Sequence, residues 1–567
     1  MSDKPVKTKG PSPDIHFAFR SLKSLELVKA LPTPATPQAD FQVYSGEARA
    51  LKYDREGNNL AYATATNVVV VDAATHQTKI TIPHPDVLDL SLSPRGNFVI
   101  TWQRTSKNED GSAKENLFVY EVSTGKAVAR FIQKGYGQWE PQWTWDEGFM
   151  ARMVTNEVHV YDKQKLVSGA KSTSFKLHID GLGDFSLSPG RSSYIAAFLP
   201  EKKGAPAAVR LYSVPNFKSP IATKSFYKAD KVQMTWNELG TALLVLTQTE
   251  VDKTGKSYYG ESNLYYLAVA GNFDCRVPLD KEGPIHDVVW SPSSKEFAVS
   301  YGFMPAKTTI FDHRANVVHS FGELPRNYIR FSPHGRYLLL GGFGNLNGML
   351  DVWDRQSLTK VCTVDGSGSA YCEWMPDGRH ILTATLSPRL RVDNGFKLWH
   401  SSGVMIHEES HNELYQVAIR PRPVTLFPFR TQGAASPPPK PCASAASRPV
   451  ASKPAGAYRP PHARNAPEKV GLPSGASTDS KAKNSTKNTK SKLPPGAAPV
   501  EVVAKPAVDP EIAQKRVRAL QKKLKQINAL VEKVANGEKL DADQVSKINQ
   551  KADVLQELES LSIGSKA

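Results

Sequence analysis

The sequence predicts an all-β fold, a WD40-like propeller of nine blades, followed by a disordered basic linker and a C-terminal α-helical hairpin. Three observations predict this architecture. A turn motif recurs at intervals of about 40 to 55 residues through the first 430 residues, which is the period of a four-stranded propeller blade. Apolar periodicity stops at about residue 431, and a helical apolar stripe begins after residue 509.

The repeated turn joins two short apolar strands and has the form S/W-P/D/N-x-G. Proline fixes φ in such a turn, Asp or Asn bonds its own backbone, and glycine adopts the left-handed conformation that closes a hairpin. A ninth candidate turn lies around Pro421. The eight clear turns are centred on Gly57, Gly96, Gly148, Gly190, Gly240, Ser294, Gly335 and Gly378.

A second repeated element follows most of these turns by about 15 to 25 residues: an alternating apolar strand that ends in a polar turn. A β-sandwich would also contain short strands, but it would not sustain one period through nine units. The strands before Tyr53, including FQVYSG at Phe41, are expected to complete the last blade and close the ring. We therefore assign residues 1–430 to a β-propeller with WD-like repeats. The alternating strands start at Val68, Leu117, Val158, Val209, Thr309, Leu350 and Phe396.

One motif resembles a zinc hydrolase signature, because residues His407 to His411 read H-E-E-S-H. The motif follows a Gly403 turn and an apolar strand, so that the two histidines would stand about 13 Å apart on an extended chain. Leu414 and Val417 occupy the positions at which a longer zinc motif has its glycine and third histidine. The sequence therefore predicts no metal site here.

Two glycine-containing segments resemble phosphate-binding loops. Gly255-Lys256-Ser257 matches the end of such a loop, but Glu250 stands where its first glycine should be. The Gly341–Gly344 run lies between two predicted strands, where glycines serve a tight connection. The sequence therefore predicts a binding protein without catalytic residues or a cofactor.

The compartment follows from the cysteines and from the apolar segments. No cysteine belongs to a C-x-x-C pair or to a cluster with zinc-ligand spacing, and no stretch reaches the roughly 18 apolar residues of a membrane helix. The charged N-terminus lacks the apolar region of a secretory signal. We expect a cytoplasmic protein that does not enter a membrane. The four cysteines are Cys275, Cys362, Cys372 and Cys442.

The net charge of +17 is concentrated in the tail. Residues 431–567 contain 23 Lys and Arg against 12 Asp and Glu, a net charge of +11, which favours attraction to polyanions. Residues 431–508, rich in Pro, Ser, Ala and Lys, are too poor in apolar side chains to fold and are predicted to form a disordered linker. Within it, Tyr458, Arg459 and Arg464 form an aromatic and basic cluster that would stack on RNA or dock on a protein groove, unless it is accidental.

A helical hairpin is predicted for residues 509–563. Asp509 is an N-cap before Pro510, and a 4-3-4-3 apolar stripe runs from Ala513 to Val534 before Asn536-Gly537 ends the first helix. The first helix carries six basic side chains within about three turns, close enough to neutralise several phosphates. An ordinary solvated face is the alternative, but no acidic residue lies between residues 514 and 530. The predicted ribosome- or RNA-binding residues of this helix are Lys515, Arg516, Arg518, Lys522, Lys523 and Lys525.

Several segments resemble the eukaryotic translation initiation factor 2A family. They are VDKTGKSYYGESNLYYL from Val251, GGFGNLNG from Gly341, ATLSPRLRVDNGFKLW from Ala384, YRPPHAR from Tyr458 and KRVRALQKKLKQI from Lys515. The resemblance implies a nine-bladed propeller, binding to the small ribosomal subunit and GTP-independent recruitment of initiator methionyl-tRNA. It also implies that the basic helix binds the subunit, with Tyr458, Arg459 and Arg464 as further contacts.

The partners expected from this resemblance are the small ribosomal subunit, initiator tRNA and mRNA, and other initiation factors held by the propeller, with the chain itself a monomer. The alternative is a WD-repeat scaffold that joins proteins within a translation or other ribonucleoprotein complex and has no direct tRNA role. Its nearest example, the b subunit of initiation factor three, carries an RNA-recognition domain before its propeller. The 40 residues before Phe41 are too few for such a domain.

Overall fold

Nine antiparallel sheets arranged as the blades of a propeller make up the described part of the first unit of the chain. The chain divides into two units, Met1–Ala457 and Tyr458–Ala567. In the second unit the described residues are Ile527 and Asn528, which are helical, so the predicted hairpin and most of the predicted linker lie outside the described residues. The computed structural model describes residues 14–31, 35–37, 41, 44–169, 173–202, 204–227, 229–249, 260–387, 389–428, 439–442 and 527–528.

The strands of the first half of the chain are short, and each is bounded by a turn. The first four are β1 (Ile15–Ser21), β2 (Ser24–Leu31), β3 (Thr36–Pro37) and β4 (Tyr44–Ser45). Blades 1 and 2 consist of β5 (Ala50–Tyr53), β6 (Asn59–Ala63), β7 (Asn67–Asp72), β8 (Thr78–Pro83), β9 (Asp89–Leu92), β10 (Phe98–Trp102), β11 (Leu117–Glu121) and β12 (Ala127–Phe131). Blades 3 and 4 consist of β13 (Gln142–Trp143), β14 (Phe149–Val154), β15 (Glu157–Asp162), β16 (Phe175–His178), β17 (Asp184–Leu187), β18 (Tyr194–Leu199), β19 (Ala207–Ser213) and β20 (Ala222–Phe226), with helix α1 (Lys163–Val167) after β15.

The second half repeats the pattern. Blades 5 and 6 consist of β21 (Lys231–Trp236), β22 (Ala242–Gln248), β23 (Ser262–Ala268), β24 (Asp274–Arg276), β25 (Ile285–Trp290), β26 (Glu296–Tyr301), β27 (Ala306–Asp312) and β28 (Val317–Leu324). Blades 7 and 8 consist of β29 (Tyr328–Phe331), β30 (Tyr337–Gly341), β31 (Met349–Asp354), β32 (Thr359–Asp365), β33 (Tyr371–Trp374), β34 (His380–Thr385), β35 (Gly395–His400) and β36 (Met405–Ser410). The last strand is β37 (Leu414–Ile419), and a 3-10 helix (Val424–Leu426) follows it.

The ring is closed by strands from both ends of the described propeller. The closing blade has the strand order β3-β2-β1-β37, and β4 also pairs with β2. Phe17 lies opposite Ile419 and Phe19 opposite Val417, so the last strand pairs with the first. Phe41 is buried between the closing blade and blade 1. The predicted closure by the strands before Tyr53 is therefore confirmed, and it gives each end strand a partner.

The core consists of nine apolar clusters in the described residues, and each cluster lies between two neighbouring blades. Between blade 8 and the closing blade, for example, the rings of Phe17 and Phe396 meet edge to face with their centroids 4.9 Å apart. The first strands of neighbouring blades also contact one another, as β5 contacts β9 and β37 contacts β5. These first strands therefore surround the axis of the ring, and stability depends on each blade burying its faces against two others.

The turns between the first and second strands of the blades follow the predicted geometry at six of the eight positions. Ser294 has φ +60°, and the glycines have φ between +64° and +76°. These glycines are Gly57, Gly96, Gly240, Gly335 and Gly378.

The prediction was wrong in detail at the other two turns. At WDEG the left-handed residue is Glu147, with φ +59°, and not Gly148. The Glu147 carboxylate is buried and accepts hydrogen bonds from the Arg95 backbone N–H at 2.8 Å and the Asn97 side chain at 2.6 Å. Gly190 is needed for a close approach, because a Cβ there would lie 2.0 Å from the Leu239 carbonyl oxygen.

The ninth turn expected around Pro421 is not a hairpin. The closing blade takes its first and second strands from β37 and β1, so no turn can join them. The chain after β37 instead leaves the ring through residues 420–428. Further along, the Cys442 backbone N–H donates to the Met405 carbonyl at 3.0 Å, so part of the segment predicted as linker contacts blade 8.

Candidate functional site

The basic and aromatic residues that the sequence predicts as a ribosome or RNA site lie outside the described residues, and their roles stay predictions. They are Tyr458, Arg459, Arg464, Lys515, Arg516, Arg518, Lys522, Lys523 and Lys525.

The first four residues of the zinc-like motif, 407–410, lie on β36 as predicted, and His411 follows the end of the strand. His407 Nε2 lies 3.3 Å and His411 Nε2 3.1 Å from the two carboxylate oxygens of Glu409, and both imidazole rings stack on Phe396. Hydrogen bonding to His407 and then His411 lowers the pKa of Glu409 to about 2. In the described part of the chain, no group of three or more His, Cys, Asp and Glu side chains could hold a metal ion. The motif instead joins the edge of blade 8 to an aromatic core.

The two phosphate-loop candidates have different outcomes. Residues Gly255 to Ser257 lie outside the described residues. The Gly341–Gly344 run connects β30 with β31, as predicted, and Gly342 donates to the Met349 carbonyl at 3.1 Å.

Among the described residues, no helix is long and apolar enough to cross a membrane.

The turns between first and second strands meet at one end of the central axis, which we call the turn face. Arg55, in the turn of blade 1, forms an ion pair with Glu238 in the turn of blade 5. Its guanidinium also donates to the Pro189 carbonyl of blade 4 at 3.3 Å. Blades that are distant along the ring are thus connected at the turn face.

The segment of residues 420–428 runs across this turn face. Arg420 donates through Nε to the Gly57 carbonyl at 2.9 Å, and its backbone N–H donates to His16 at 3.0 Å. At the other end, His334 Nε2 lies 2.5 Å from the Phe427 carbonyl oxygen. The Arg379 guanidinium donates to the Pro428 carbonyl at 3.3 Å. The segment therefore contacts blades 1, 7 and 8 as well as the closing blade.

A cavity of about 1150 Å³ opens between these turns and this segment. Much of its wall is apolar and accessible, because the side chains of Leu239, Ile221 and Leu426 are exposed by 61%, 41% and 40%. The turns of blades 1 to 5, one further loop from each of blades 4 and 5, and the exit segment all contribute. The apolar lining consists of Pro94, Trp145, Pro189, Ile221, Leu239, Val269, Ala270, Pro421, Pro423 and Leu426.

Three arginines and two glutamates make up the charged lining. Arg55 is compensated by Glu238, and Arg95, beside the cavity, lies 3.7 Å from Glu56. Arg191 and Arg422 line the cavity and form no ion pair with a carboxylate of the described residues.

Trp145 lies among these guanidinium groups. The Cζ atoms of Arg95 and Arg191 are 4.6 Å and 5.9 Å from the centroid of its ring, within the range of a cation–π interaction. The arrangement suits an anionic ligand that carries flat or apolar groups.

This site was not predicted from the sequence, because hairpin geometry alone accounts for each turn. A signal was present: Arg55, Arg95 and Arg191 follow the Pro, Asp or Gly of three turns, and Trp145 opens a fourth. Only the ring geometry brings these separate turns to one cavity.

Two protein-family models match this chain. The model "Eukaryotic translation initiation factor eIF2A" matches residues 224–417, and "Eukaryotic translation initiation factor 2A C-terminal domain" matches residues 515–561. Eukaryotic translation initiation factor 2A of Schizosaccharomyces pombe is 46% identical, over 96% of this chain and 98% of that protein. The Dictyostelium discoideum protein of the same name is 34% identical, over 91% and 87%.

A solved structure, "Crystal structure of the eukaryotic initiation factor", has 46% sequence identity and a TM-score of 0.67. It covers 73% of this chain and 100% of its own. Sequence identity over nearly the whole length, two matched family models and the nine-bladed ring agree. The chain therefore belongs to the eukaryotic translation initiation factor 2A family, a family of non-enzymatic translation initiation factors with a β-propeller fold.

Proposed function

We propose that this chain binds the small ribosomal subunit through its basic C-terminal region and promotes GTP-independent recruitment of initiator methionyl-tRNA in the cytoplasm. The observation that carries the proposal is that the matched C-terminal family domain and the cluster of basic residues begin at the same residue. The matched C-terminal family domain, residues 515–561, begins at Lys515, which is the first of the six clustered basic residues.

The physical basis is the release of counterions from rRNA. Each phosphate neutralised by a basic side chain lowers the slope of log K against log salt by about 0.7 to 0.9. Six cations within about three turns of the predicted helix can each meet a phosphate, whereas the +9 of residues 431–500 is spread over 70 residues. Clustering, and not net charge alone, supports the helix as the contact.

The proposed division of labour follows the three predicted regions. The propeller of residues 1–430 is a rigid platform for other initiation factors, and the linker of residues 431–508 gives the C-terminal hairpin of residues 509–563 its reach. Tyr458, Arg459 and Arg464 in the linker add stacking and ionic contacts to RNA.

Co-sedimentation with purified small subunits at low and moderate salt tests the subunit contact. The full chain is compared with a chain that stops after Arg430 and with the triple variant Lys522→Glu, Lys523→Glu, Lys525→Glu. We expect the truncated chain to lose most binding and the triple variant to bind weakly, with a salt slope reduced by at least about 2.

A charge-matched control separates the helix from net charge. The variant Lys483→Glu, Lys487→Glu, Lys490→Glu changes the charge equally within the linker. It should bind nearly as well as the unmodified chain. Equal loss in both triple variants would reassign binding to diffuse charge, and equal binding by the full and truncated chains would refute the tail contact.

The tRNA step is tested by retention of labelled initiator methionyl-tRNA on small subunits, with the factor present and with GTP supplied or omitted. We expect equal retention in both conditions. A strict requirement for GTP, or no retention above subunits alone, would favour the scaffold alternative. That alternative predicts subunit association only when other initiation factors are present.

A further inference from the structure

The cavity on the turn face has two kinds of lining, and we propose that it binds the single-stranded, aminoacylated 3′ end of a tRNA. This inference rests on the proposed function, which supplies the aminoacylated tRNA, and it names the part of that ligand that the propeller holds. Three properties of the cavity support it: its size, its cationic and aromatic side, and its apolar wall.

The size of the cavity fits a short single strand. Its volume of about 1150 Å³ lies above the range of about 300 to 1,000 Å³ that is usual for pockets of small ligands. Its walls are loops from several blades around one axis, where unstacked bases can enter but a paired helix presents only its backbone. Several nucleotides of an unpaired end are therefore a better match than one nucleotide or a duplex.

The cationic and aromatic side fits nucleotides. Arg191 and Arg422 have no carboxylate partner among the described residues, so a phosphate would gain their charge without breaking an ion pair. The Trp145 indole, with Arg95 4.6 Å and Arg191 5.9 Å from its centroid, offers aromatic and guanidinium planes to a base.

The apolar wall fits the amino acid. Leu239, Ile221 and Leu426 line the same cavity as the guanidinium groups and are exposed by 61%, 41% and 40%. An aminoacyl group is joined by one ester bond to the terminal adenosine, so its side chain enters together with the last base. An uncharged methionine side chain would bury itself against this wall.

An acidic peptide with apolar side chains is the competing ligand. It would satisfy Arg191 and Arg422, but its carboxylates would not stack on the Trp145 indole. Nucleobases stack on such planes whatever their identity. The aminoacylated RNA end uses all three kinds of lining and is the ligand that we infer.

The test measures binding of the full chain to three labelled initiator tRNAs: methionylated, deacylated, and lacking the last three nucleotides. We expect the truncated tRNA to bind at least about tenfold more weakly than the methionylated one. Arg191→Ala and Trp145→Ala should each lose about tenfold on methionylated tRNA and almost nothing on truncated tRNA. Leu239→Ser should lose the preference for methionylated over deacylated tRNA.

Matched variants control for charge and surface changes. Arg314→Ala removes an exposed arginine from blade 6, and Val317→Ser alters a side chain that is 60% exposed on β28. Both should bind all three tRNAs like the unmodified chain. Arg191 and Leu239 are surface residues, so their variants keep the inference testable if Trp145→Ala fails to fold.

The outcomes separate the two proposals. Suppose that the cavity variants bind methionylated tRNA as tightly as the unmodified chain does, and that the unmodified chain binds the truncated tRNA equally tightly. The cavity proposal is then overturned and the proposed function stands. If the unmodified chain binds no tRNA, the cavity proposal is overturned together with the tRNA step of the proposed function, whereas the small-subunit contact stands or falls with the co-sedimentation experiment. A labelled peptide of alternating Asp and Leu tests the competing ligand. If Trp145→Ala abolishes binding of this peptide but leaves binding of methionylated tRNA unchanged, the cavity is a protein site and the inference is wrong.

Discussion

Substitution of Glu147 tests how the turns hold neighbouring blades together. This residue is completely buried, adopts φ +59° in the turn of blade 3, and accepts a hydrogen bond from the Arg95 backbone N–H of blade 2 at 2.8 Å. Its second donor, Asn97, is exposed and can turn to water. Glu147→Ala removes both hydrogen bonds, and because water replaces the carboxylate only at Asn97, the partly buried Arg95 N–H loses its partner, a cost of about 2 to 4 kcal/mol.

The left-handed conformation supplies an internal check on this magnitude. Alanine at φ +59° retains the steric cost of about 1 to 2 kcal/mol that glycine avoids. Glu147→Gly should therefore destabilise the chain less than Glu147→Ala, by about 1 kcal/mol after the loss of backbone entropy. At an ordinary strand position the order would be reversed.

The assay is urea unfolding of the full chain followed by tryptophan fluorescence, with Asp393→Ala as the control. Asp393 also has a left-handed φ of +54° but is exposed. Its substitution should change the free energy of unfolding by less than about 0.5 kcal/mol. If Glu147→Ala cost no more than Asp393→Ala, the blade-linking role of Glu147 would be refuted. If the glycine variant were less stable than the alanine variant, the left-handed conformation would not be the source of the difference.

Three further predictions concern the ring. Phe396→Ala, in the core between blade 8 and the closing blade, should lower the free energy of unfolding by about 3 to 5 kcal/mol. Phe175→Ala, at a partly exposed site, should lower it far less. Similar losses for the two variants would contradict the core assignment. Because the folded pKa of Glu409 is lowered to about 2, its contribution is present above the unfolded pKa of about 4.3 and is lost as the pH falls towards 2. Acid titration of stability in Glu409→Gln should show a smaller loss across that window, and an unchanged profile would reject the pairing with its histidines. A double-mutant cycle for Arg55 and Glu238, which are largely exposed, should give a coupling of about 0.2 to 1 kcal/mol, and a value above about 2 would mean that the ion pair itself closes the turn face.

Local sequence patterns predicted the ring well, because a blade is a local unit. The turn at Gly57, the strand at His407 and the closure by residues before Tyr53 each follow from spacing and alternation within a few tens of residues. Glu147 escaped prediction because its left-handed backbone is held by partners in another blade. The course of the chain around Pro421 was not predicted, because it depends on which strands complete the closing blade.

The cavity was beyond sequence reasoning for the same reason. Arg55, Trp145, Arg191, Leu239 and Arg422 are spread over 367 residues and meet only when the ring is complete. Each residue taken alone is an ordinary turn residue. The two uncompensated guanidinium groups can be recognised only when the ion pairs of their neighbours are known.

The pairing of β1 with β37 also constrains how the protein is made. Phe19 can pair with Val417 only after the ribosome has added 398 further residues. At about 5 to 20 residues per second this interval lasts on the order of 20 to 80 seconds. Throughout it, the edge of β1 and the apolar faces of the first and most recently made blades remain uncovered on the nascent chain. The ring of this initiation factor therefore stays open while the chain is being synthesised. Chaperones that shield strand edges should determine the yield of folded protein.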